Sequence, residues 1–408
     1  MSEAKPRVVI IGGNFAGLVA ASRLPCGYDV TVIDARADFE WTPNIHEILS
    51  GVKNREGVVL PRAECVSRYG HSFVHDVVTR IDRDSSSVVT EGGLVLPYDA
   101  CLIAAGSQRT TFGVEGADKH ALGFRLVDDA VHIASRLDKL AARQRRASIV
   151  IVGGGVSGIE ALGEILRRRA RGDEFNIHIV ERESRILEQQ PRGLAGDAEM
   201  RLTPYPVTLH TNAAVAQVDA RSVTLASGKK LTADLCIWSA GMALPDFLRD
   251  AGLNETGDEW LPVDDTLQSP YADNIFIAGD CAALPVPVRK QAYYAMDMGE
   301  VAGDNISRFL RDRRLRRFRA APMPMLISFG DITTWLVAGE SVVASPVLAA
   351  AKEGVYEVTM ARLESPNEPL RYSADVVGRA AMAARQLLLP QLTPGKLFLG
   401  LVGSRIIP

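Results

Sequence analysis

The sequence contains few cysteines for its length. Of its 408 residues only five are cysteine, at Cys26, Cys65, Cys101, Cys236 and Cys281. No pair has the spacing of a metal site or of a redox dithiol, and an odd, scattered set does not form a disulfide framework. We therefore expect no metal site, a reducing cytoplasmic environment, and a packing role for the cysteines at 101, 236 and 281.

A surplus of basic charge and a long apolar run are also missing. The chain has 46 Lys and Arg against 49 Asp and Glu, a formal net charge of −3, which disfavours a nucleic-acid partner. The sequence has no run of about 18 apolar residues, so we expect no transmembrane helix. Residues 1–7 lack the apolar stretch that a signal peptide needs. With 47% hydrophobic and 23% charged residues, the composition is typical of a globular protein of two or three domains.

What the sequence does contain is one glycine-rich pattern written twice. Residues 8–17 read VVIIGGNFAG and residues 149–158 read IVIVGGGVSG. In both, an apolar strand leads through a tight turn into a helix that begins with small residues, so that backbone N–H groups can approach a diphosphate. A second apolar run then ends in an acid, Asp34 or Glu181, placed to accept ribose hydroxyls. The two copies predict two dinucleotide sites.

The first copy departs from the usual pattern at its second glycine position. Asn14 stands there and adds a side chain beside the expected pyrophosphate. Because Asn tolerates unusual backbone angles better than most residues, we expect the turn to be kept.

A second repeat closes each half of the chain. Residues 93–106 and 228–241 both run through an Asp and an apolar strand to a glycine, and residues 274–280 form a third such strand followed by Asp280. The pattern predicts an α/β fold with two Rossmann-like, three-layer ββα domains and a smaller C-terminal α+β module. The expected boundaries are 1–120 and 245–320 for the first domain, 121–244 for the second, and 321–408 for the module.

Together these segments resemble the two-dinucleotide-domain flavoproteins of the pyridine nucleotide-disulfide oxidoreductase superfamily, over residues 7 to about 310. WTPNIHEILSG at 41–51 and GEVAGDNI at 299–306 are most similar to the branch that contains type II NADH dehydrogenases, apoptosis-inducing-factor-like oxidoreductases and sulfide:quinone oxidoreductases. The resemblance implies non-covalent FAD in the first domain and NADH in the second, with NADPH as the alternative.

The resemblance also implies the site residues. Those expected to bind the two cofactors are Gly12, Gly13, Asn14, Phe15, Ala16, Gly17, Asp34, Ala35, Arg36, Trp41, Thr42, Pro43, Ala105, Gly106, Gly279 and Asp280, together with Gly153, Gly155, Gly158, Glu181 and Gly241.

Three further residues are implied as catalytic. Glu160 matches the family position that faces the nicotinamide and the flavin, although an exposed first-turn acid would also suit the helix dipole. His46 could donate a proton to a quinone or simply bridge a loop and a helix. Tyr293 stands where type II enzymes have the Gln of an Ala-Gln pair, and it could contact a quinone or fill the wall beside the flavin. Gln291 is close enough to replace the missing amide.

The nicotinamide cofactor is expected to be NADH. Glu181 would repel the 2′-phosphate of NADPH, whereas Arg182 and Arg185 nearby could attract it. Because the acid is the residue that meets the ribose directly, its effect should dominate.

The expected activity is hydride transfer from NADH to FAD, followed by electron transfer to a quinone or a similar small acceptor. A disulfide reductase needs a cysteine pair between residues 39 and 51, which is missing. Sulfide oxidation is disfavoured because Ser157 occupies the second glycine motif and no cysteine follows Cys281. Two alternatives stay open: a reductase of an electron-carrier protein that docks on Arg313–Arg319, and a flavoprotein that signals its NADH-bound state.

The basic run from Arg308 to Arg319 also bears on location. It reads either as a solvated helix end or as a contact for anionic lipid headgroups. Peripheral contact with the cytoplasmic face of the inner membrane is therefore one expectation. The apolar surface of the C-terminal module could be core, the interface of a homodimer, or a patch that faces the membrane or the acceptor.

Overall fold

The computed structural model describes residues 4–143, 146–255, 257, 259–364 and 405–407. They group into two compact units. Unit 1 contains the described residues up to 40, 59–108 and 242–321, and unit 2 contains 41–58, 109–241 and the described residues from 322 onward. This division differs from the predicted boundaries, because segment 41–58, residues 109–120 and the C-terminal residues all group with the second dinucleotide domain.

Helices and strands both contribute substantially to the described residues. The helices are α1 Phe15–Arg23, α2 Arg62–Ser67, α3 Ala117–His120, α4 Val127–Ala141, α5 Val156–Arg167, α6 Arg192–Leu202, α7 Ala292–Phe309 and α8 Val347–Glu364, with 3₁₀ turns at Thr42–Ile48, Glu56–Val58, Arg168–Arg171 and Asp246–Leu248. The strands are β1 Arg7–Ile11, β2 Asp29–Asp34, β3 Asp38–Glu40, β4 Val59–Pro61, β5 Ser72–His75, β6 Val78–Asp82, β7 Ser87–Thr90, β8 Val95–Pro97, β9 Ala100–Ile103, β10 Gln108–Arg109, β11 Leu122–Gly123, β12 Ala147–Val152, β13 Phe175–Val180, β14 Val207–His210, β15 Val215–Asp219, β16 Ser222–Leu225, β17 Lys230–Thr232, β18 Leu235–Trp238, β19 Met242–Ala243, β20 Leu261–Pro262, β21 Gln268–Ser269, β22 Ala272–Ile277, β23 Ala282–Ala283, β24 Met325–Phe329, β25 Thr333–Ala338, β26 Ser341–Ala344 and β27 Arg405–Ile407.

Unit 1 is built on a six-stranded sheet in the order β21-β22-β9-β1-β2-β5. Its central strands pair in parallel, with Val8 opposite both Val30 and Ala100, and they are apolar because both faces of such a sheet are covered. β6, β7 and β8 form a separate antiparallel sheet. The carboxyl ends of β1, β9 and β22 carry the predicted glycine turns.

The helices α1 and α7 of unit 1 pack closely because small residues meet. A Cβ added to Gly299 would lie 2.3 Å from the carbonyl oxygen of Ala16, and one added to Gly303 would lie 2.7 Å from that of Ala20. Only glycine permits this approach. The helix α7, which contains the GEVAGDNI stretch at 299–306, therefore packs against and supports α1, the helix that begins at the first glycine turn.

Unit 2 contains the second parallel sheet, in the order β11-β18-β12-β13-β14, and a three-stranded antiparallel sheet of β15, β16 and β17. A core of Val150, Val152, Trp238 and neighbouring apolar side chains fills this part of the unit. Two parallel sheets of this kind, each with a glycine turn at the end of a central strand, confirm the predicted α/β class.

The C-terminal part of unit 2 is a four-stranded antiparallel sheet, β24-β25-β26-β27, joined by α8. The turn after β24 lies directly on α5, since a Cβ on Gly163 would lie 2.5 Å from the backbone nitrogen of Gly330. No helix among the described residues is long and apolar enough to cross a membrane.

Candidate active site

The first glycine turn connects β1 to α1 in unit 1. Gly12 has a φ of +94° and a Cβ there would lie 2.3 Å from the carbonyl oxygen of Ala104. A Cβ on Gly17 would lie only 1.8 Å from the carbonyl oxygen of Gly12. Both positions therefore require glycine. Phe15 and Ala16 open α1, so the backbone N–H groups at its start are available to a diphosphate.

Asn14 keeps the turn for a different reason from the one expected. Its φ is −93°, so it uses no left-handed conformation. Instead its side-chain amide pairs with the backbone of Glu40: Asn14 Nδ2 donates to the Glu40 carbonyl at 3.1 Å, and Glu40 N donates to Asn14 Oδ1 at 3.0 Å. The departure from glycine thus ties the turn to β3.

Asp34, the predicted ribose acid, lies at the end of β2 beside this turn. Its carboxylate accepts hydrogen bonds from the backbone nitrogens of Gly13 and Arg36 at 2.8 and 2.9 Å. It is also paired at 2.9 Å with Nη1 of Arg62, a fully buried arginine whose Nε donates to the carbonyl of Gly13. Sequence reasoning missed Arg62, and no local pattern marks it.

Two more strand ends of unit 1, and the start of α7, carry predicted residues. Gly106 and Gly279 have φ values of +68° and +83°, and Ala105 directly precedes Gly106. The Ser107 hydroxyl donates to the Asp280 carboxylate at 3.1 Å, while Nζ of Lys290 donates to the Asp280 carbonyl. Burial lowers the pKa of Lys290. Tyr293 lies half-buried in the first turn of α7.

The second glycine turn, in unit 2, repeats this geometry. Gly153 has a φ of +103°, and a Cβ on Gly158 would lie 2.0 Å from the carbonyl oxygen of Gly153. At Gly155 an added Cβ would meet nothing within 4 Å, so this face of the backbone is open to a ligand. Gly241 ends the matching strand with a φ of +78°.

Glu181, the predicted ribose acid of the second site, lies directly after β13. Its Oε2 accepts from the backbone nitrogen of Gly154 at 2.7 Å, and its Oε1 from that of Glu183 at 2.9 Å. Both neighbouring arginines have other partners. Arg182 pairs with Glu183 at 2.9 Å, and Arg185 donates to the carbonyls of residues 187, 188 and 190.

Glu160 and His46, two of the three predicted catalytic residues, lie together in unit 2 with Lys352. Oε1 of Glu160 accepts from Nζ of Lys352 at 2.7 Å and from the backbone nitrogen of Ser328 at 3.2 Å. Lys352 Nζ also lies 3.3 Å from Nε2 of His46. We call Glu160, His46 and Lys352 the unit 2 cluster. Sequence reasoning missed Lys352 because α8 lies far along the chain from α5.

The His46 imidazole is neutral in this cluster. Burial, and then the positive charge of Lys352, hold the pKa of His46 well below its usual range. Its Nδ1 lies 3.8 Å from Oε2 of Glu160, which is a contact between a neutral ring and a carboxylate rather than an ion pair. Nε2 is then free of a proton and accepts from Lys352, while Nδ1 carries the proton.

Trp41, Thr42 and Pro43, predicted to bind FAD, belong to segment 41–58 of unit 2. The Trp41 indole is buried, donates to Oδ1 of Asn44 at 2.8 Å, and meets Tyr356 edge-on. Thr42 and Pro43 begin the 3₁₀ turn that carries His46. A cofactor role for these three residues remains a prediction.

The cysteines offer no redox pair. All five are free thiols, and four are buried. Burial raises the pKa of Cys236 and of Cys281 to about 12, so neither is a thiolate near neutral pH. The described residues hold no group of three or more His, Cys, Asp or Glu that could bind a metal ion.

Comparison with known proteins gives a consistent set of relatives. The sequence profile of the pyridine nucleotide-disulphide oxidoreductase family matches residues 6–299. A demethylphylloquinone reductase of Synechocystis sp. is 28% identical over 349 residues, covering 81% of this chain and 86% of that protein. A type II NADH:quinone oxidoreductase of Staphylococcus aureus is 26% identical over 366 residues, covering 81% and 89%.

Solved structures share the fold at lower sequence identity. NDH2 from Plasmodium falciparum in complex with NADH superposes with a TM-score of 0.79 at 17% identity, covering 91% of this chain and 97% of that one. The sulfide:quinone oxidoreductase of Aquifex aeolicus superposes with a TM-score of 0.76 at 20% identity, covering 88% and 91%.

Proposed function

Because the chain belongs to the pyridine nucleotide-disulphide oxidoreductase family, we propose that it is an NADH:quinone oxidoreductase that uses non-covalently bound FAD. The observation that carries the proposal is the pair of dinucleotide turns, each with its own acid, in two separate units. When bound, FAD supplies the redox chemistry: it accepts a hydride from NADH and passes two electrons to the acceptor. The chain's residues supply binding, orientation and protons.

Unit 1 fits the FAD. The amides at the start of α1 would hold the pyrophosphate, and Asp34, fixed by Arg62 and by two backbone N–H groups, would accept the adenosine ribose hydroxyls. Asp280, whose carboxylate accepts from Ser107 and whose carbonyl accepts from Lys290, follows β22 and would contact the FAD from that strand end.

Unit 2 fits the nicotinamide dinucleotide, and it favours NADH over NADPH. The Glu181 carboxylate would accept the ribose hydroxyls and repel a 2′-phosphate. Arg182 and Arg185, the groups that could offset this repulsion, are held by Glu183 and by backbone carbonyls. Selectivity for NADH follows from this combination.

The unit 2 cluster would handle the protons of quinone reduction. Lys352 is a cation held against the Glu160 carboxylate, so it can stabilise negative charge that develops on an acceptor. His46 carries one proton on Nδ1 and can move it to Glu160 or to an acceptor oxygen. Neither role requires a cysteine.

The quinone acceptor rests on two supports. Both curated relatives at 26–28% identity are named as quinone reductases, and the described cysteines are buried or isolated, which disfavours disulfide and sulfide substrates. Reduction of an electron-carrier protein, or signalling by the reduced protein, are outcomes that the experiment below distinguishes.

A quinone dissolved in lipid requires contact with a membrane, and we propose peripheral attachment with a cytoplasmic location. The outward face of α8 supports this proposal, since Val347, Val355 and Val358 are exposed there. A homodimer formed through the C-terminal residues is part of the same proposal. Co-sedimentation with vesicles of anionic lipid and sedimentation velocity would test the two parts separately.

Anaerobic stopped-flow mixing of the purified holoprotein tests the central proposal. NADH should bleach the flavin absorbance within one turnover, NADPH should do so far more slowly, and a soluble quinone should then restore the absorbance. Restoration only by an added carrier protein would replace the quinone with that carrier. A reduced state that no acceptor reoxidises would favour signalling, and a colourless protein that takes up no FAD would contradict the proposal.

A further inference from the structure

A second acid lies one helical turn beyond the unit 2 cluster. Glu164 follows Glu160 by four residues on α5 and is fully buried, with no exposed surface. Its Oε2 accepts from the hydroxyl of Ser50 and lies 3.1 Å from Nη1 of Arg167. Its Oε1 is buried and has no hydrogen-bond partner among the described residues.

The charged groups around Glu164 come from three directions. Arg167 on α5 attracts a negative charge there, while Glu47 on the 3₁₀ turn and Asp331 after β24 oppose it. Arg167 is itself shared, because its Nε lies 2.8 Å from the Asp331 carboxylate. Burial is the largest influence, and it raises the pKa of Glu164 to about 7. The carboxyl group therefore exchanges its proton near neutral pH.

The two acids of α5 face the same neighbouring segment. Residues four apart on a helix lie on one face, with Cβ atoms about 5–6 Å apart. Glu160 is met by His46, and Glu164 is met by Ser50, itself four residues after His46. The result is two successive polar contacts between α5 and segment 41–58, one at the unit 2 cluster and one next to it.

We propose that Glu164 and Ser50 form the proton-supply branch of the unit 2 cluster, with Glu164 as the residue that recharges Glu160 and His46. This inference rests on the proposed function. Reduction of a quinone by NADH consumes one proton from solvent: NADH, the quinone and H⁺ give NAD⁺ and the quinol. The NADH hydride accounts for both electrons and one hydrogen, and the branch supplies the remaining proton.

The direction of supply follows from exposure. Ser50 is half-buried and is followed by Gly51, which is exposed, so the hydroxyl stands between water and the buried carboxyl. Glu164 gives its proton toward Glu160 and regains one from water through Ser50. Glu164 acts through the cluster and is a relay residue rather than one that touches substrate.

The test separates the two half-reactions of the holoprotein. Flavin reduction by NADH needs no proton from the branch, whereas reoxidation by a soluble quinone does. Glu164→Gln should leave flavin reduction unchanged and slow reoxidation at about pH 6 by roughly tenfold or more, somewhat less than the loss of a direct proton donor. The wild-type reoxidation rate should fall as pH rises through about 7, and this inflection should vanish in the variant.

Three further variants control the result. Ser50→Ala should slow reoxidation in the same pH-dependent way, and Ser50→Thr, which keeps a hydroxyl, should restore it. Asp197→Asn removes a buried carboxylate elsewhere in unit 2, where Asp197 accepts from Trp335 at 2.7 Å, and it should keep the wild-type pH profile. If Glu164→Gln does not fold, the comparison of Ser50→Ala with Ser50→Thr is sufficient to test the relay.

Two kinds of outcome would overturn the relay. An unchanged inflection in Glu164→Gln, or an equal loss in both half-reactions, would overturn the relay while leaving the proposed function intact. Wild-type protein that NADH reduces but no quinone reoxidises would overturn the proposed function and the relay with it. Infrared difference spectra give a second readout: a carboxylic-acid band that titrates near neutral pH should disappear in Glu164→Gln.

Discussion

Nζ of Lys352 lies 2.7 Å from Oε1 of Glu160, although the two residues are 192 positions apart in the chain. Both side chains are mostly buried, so each charge depends on the other for its stabilisation. The pair joins α8 to the start of α5, directly after the second glycine turn. Through this pair, α8 contributes a side chain to the candidate site that follows the second glycine turn.

Lys352→Met should raise the pKa of His46, because the positive charge of Lys352 is one of the influences that lower it. It should also slow quinone turnover roughly tenfold by removing a group that stabilises developing charge. NMR titration of labelled histidine measures the first effect and steady-state assay the second. Lys119→Met, on an exposed lysine of α3, should change neither; an unmoved His46 titration in Lys352→Met would contradict the cluster.

Glu181→Ala should weaken selection for NADH. Loss of hydrogen bonds between a carboxylate and the ribose should lower kcat/KM for NADH by about tenfold to a hundredfold, while kcat/KM for NADPH holds steady or rises because repulsion is removed. The ratio of the two kcat/KM values is the measurement. Glu199→Ala, on an exposed residue of α6, is the control and should leave the ratio unchanged; equal losses with both cofactors in Glu181→Ala would argue against a ribose contact.

Gly17→Ala should prevent FAD from being retained. The added Cβ would lie 1.8 Å from the carbonyl oxygen of Gly12, so α1 must move away from the turn. The flavin-to-protein absorbance ratio after gel filtration measures retention. Gly196→Ala, where a Cβ meets nothing within 4 Å in α6, should instead stabilise the protein by about 0.5–1 kcal/mol. Full flavin content in Gly17→Ala would show that the turn tolerates a side chain.

Arg62 and Asp34 should be strongly coupled in a double-mutant cycle. Arg62 is fully buried and Asp34 nearly so, so Arg62→Met or Asp34→Asn alone should cost about 3–5 kcal/mol, and the double variant should cost less than the sum by about 1–3 kcal/mol. Urea unfolding measures all four proteins. The exposed pair of Arg7 and Asp99 should show little coupling because solvent screens it, and similar coupling in both cycles would contradict a buried clamp.

Glu164 should make the protein less stable as pH rises through weakly acidic values. The pKa of Glu164 is raised from 4.5 to about 7 in the folded state, so between these values the folded protein holds a proton that the unfolded chain has released. Stability is lost across this window, by a total on the order of 3 kcal/mol, and the loss is complete above about pH 7. Urea unfolding at a series of pH values should show that the free energy of unfolding of Glu164→Gln rises relative to that of the wild type over the same interval. A difference in unfolding free energy that stays constant with pH would contradict the raised pKa.

Sequence reasoning reached the parts of the site that depend on short stretches of chain. The turns at Gly12 and Gly153, the acids at Asp34 and Glu181, and the α/β class were all readable from local spacing. For Asn14 the turn was expected and is present, but its cause was not: the amide pairs with the backbone of Glu40. That partner lies 26 residues away, and no local pattern announces it.

The sequence by itself determined where the backbone turns sharply, because a positive φ or a carbonyl 2 Å from a would-be Cβ allows only glycine. It also determined which strands are buried on both faces, since these must be continuously apolar. Only the tertiary structure decided that Arg62 clamps Asp34, that Lys352 and His46 converge on Glu160, and that Ser50 meets Glu164. Such pairs are selected by packing and by the burial of charge across distant segments, and the energy that favours them exists only once the chain has folded.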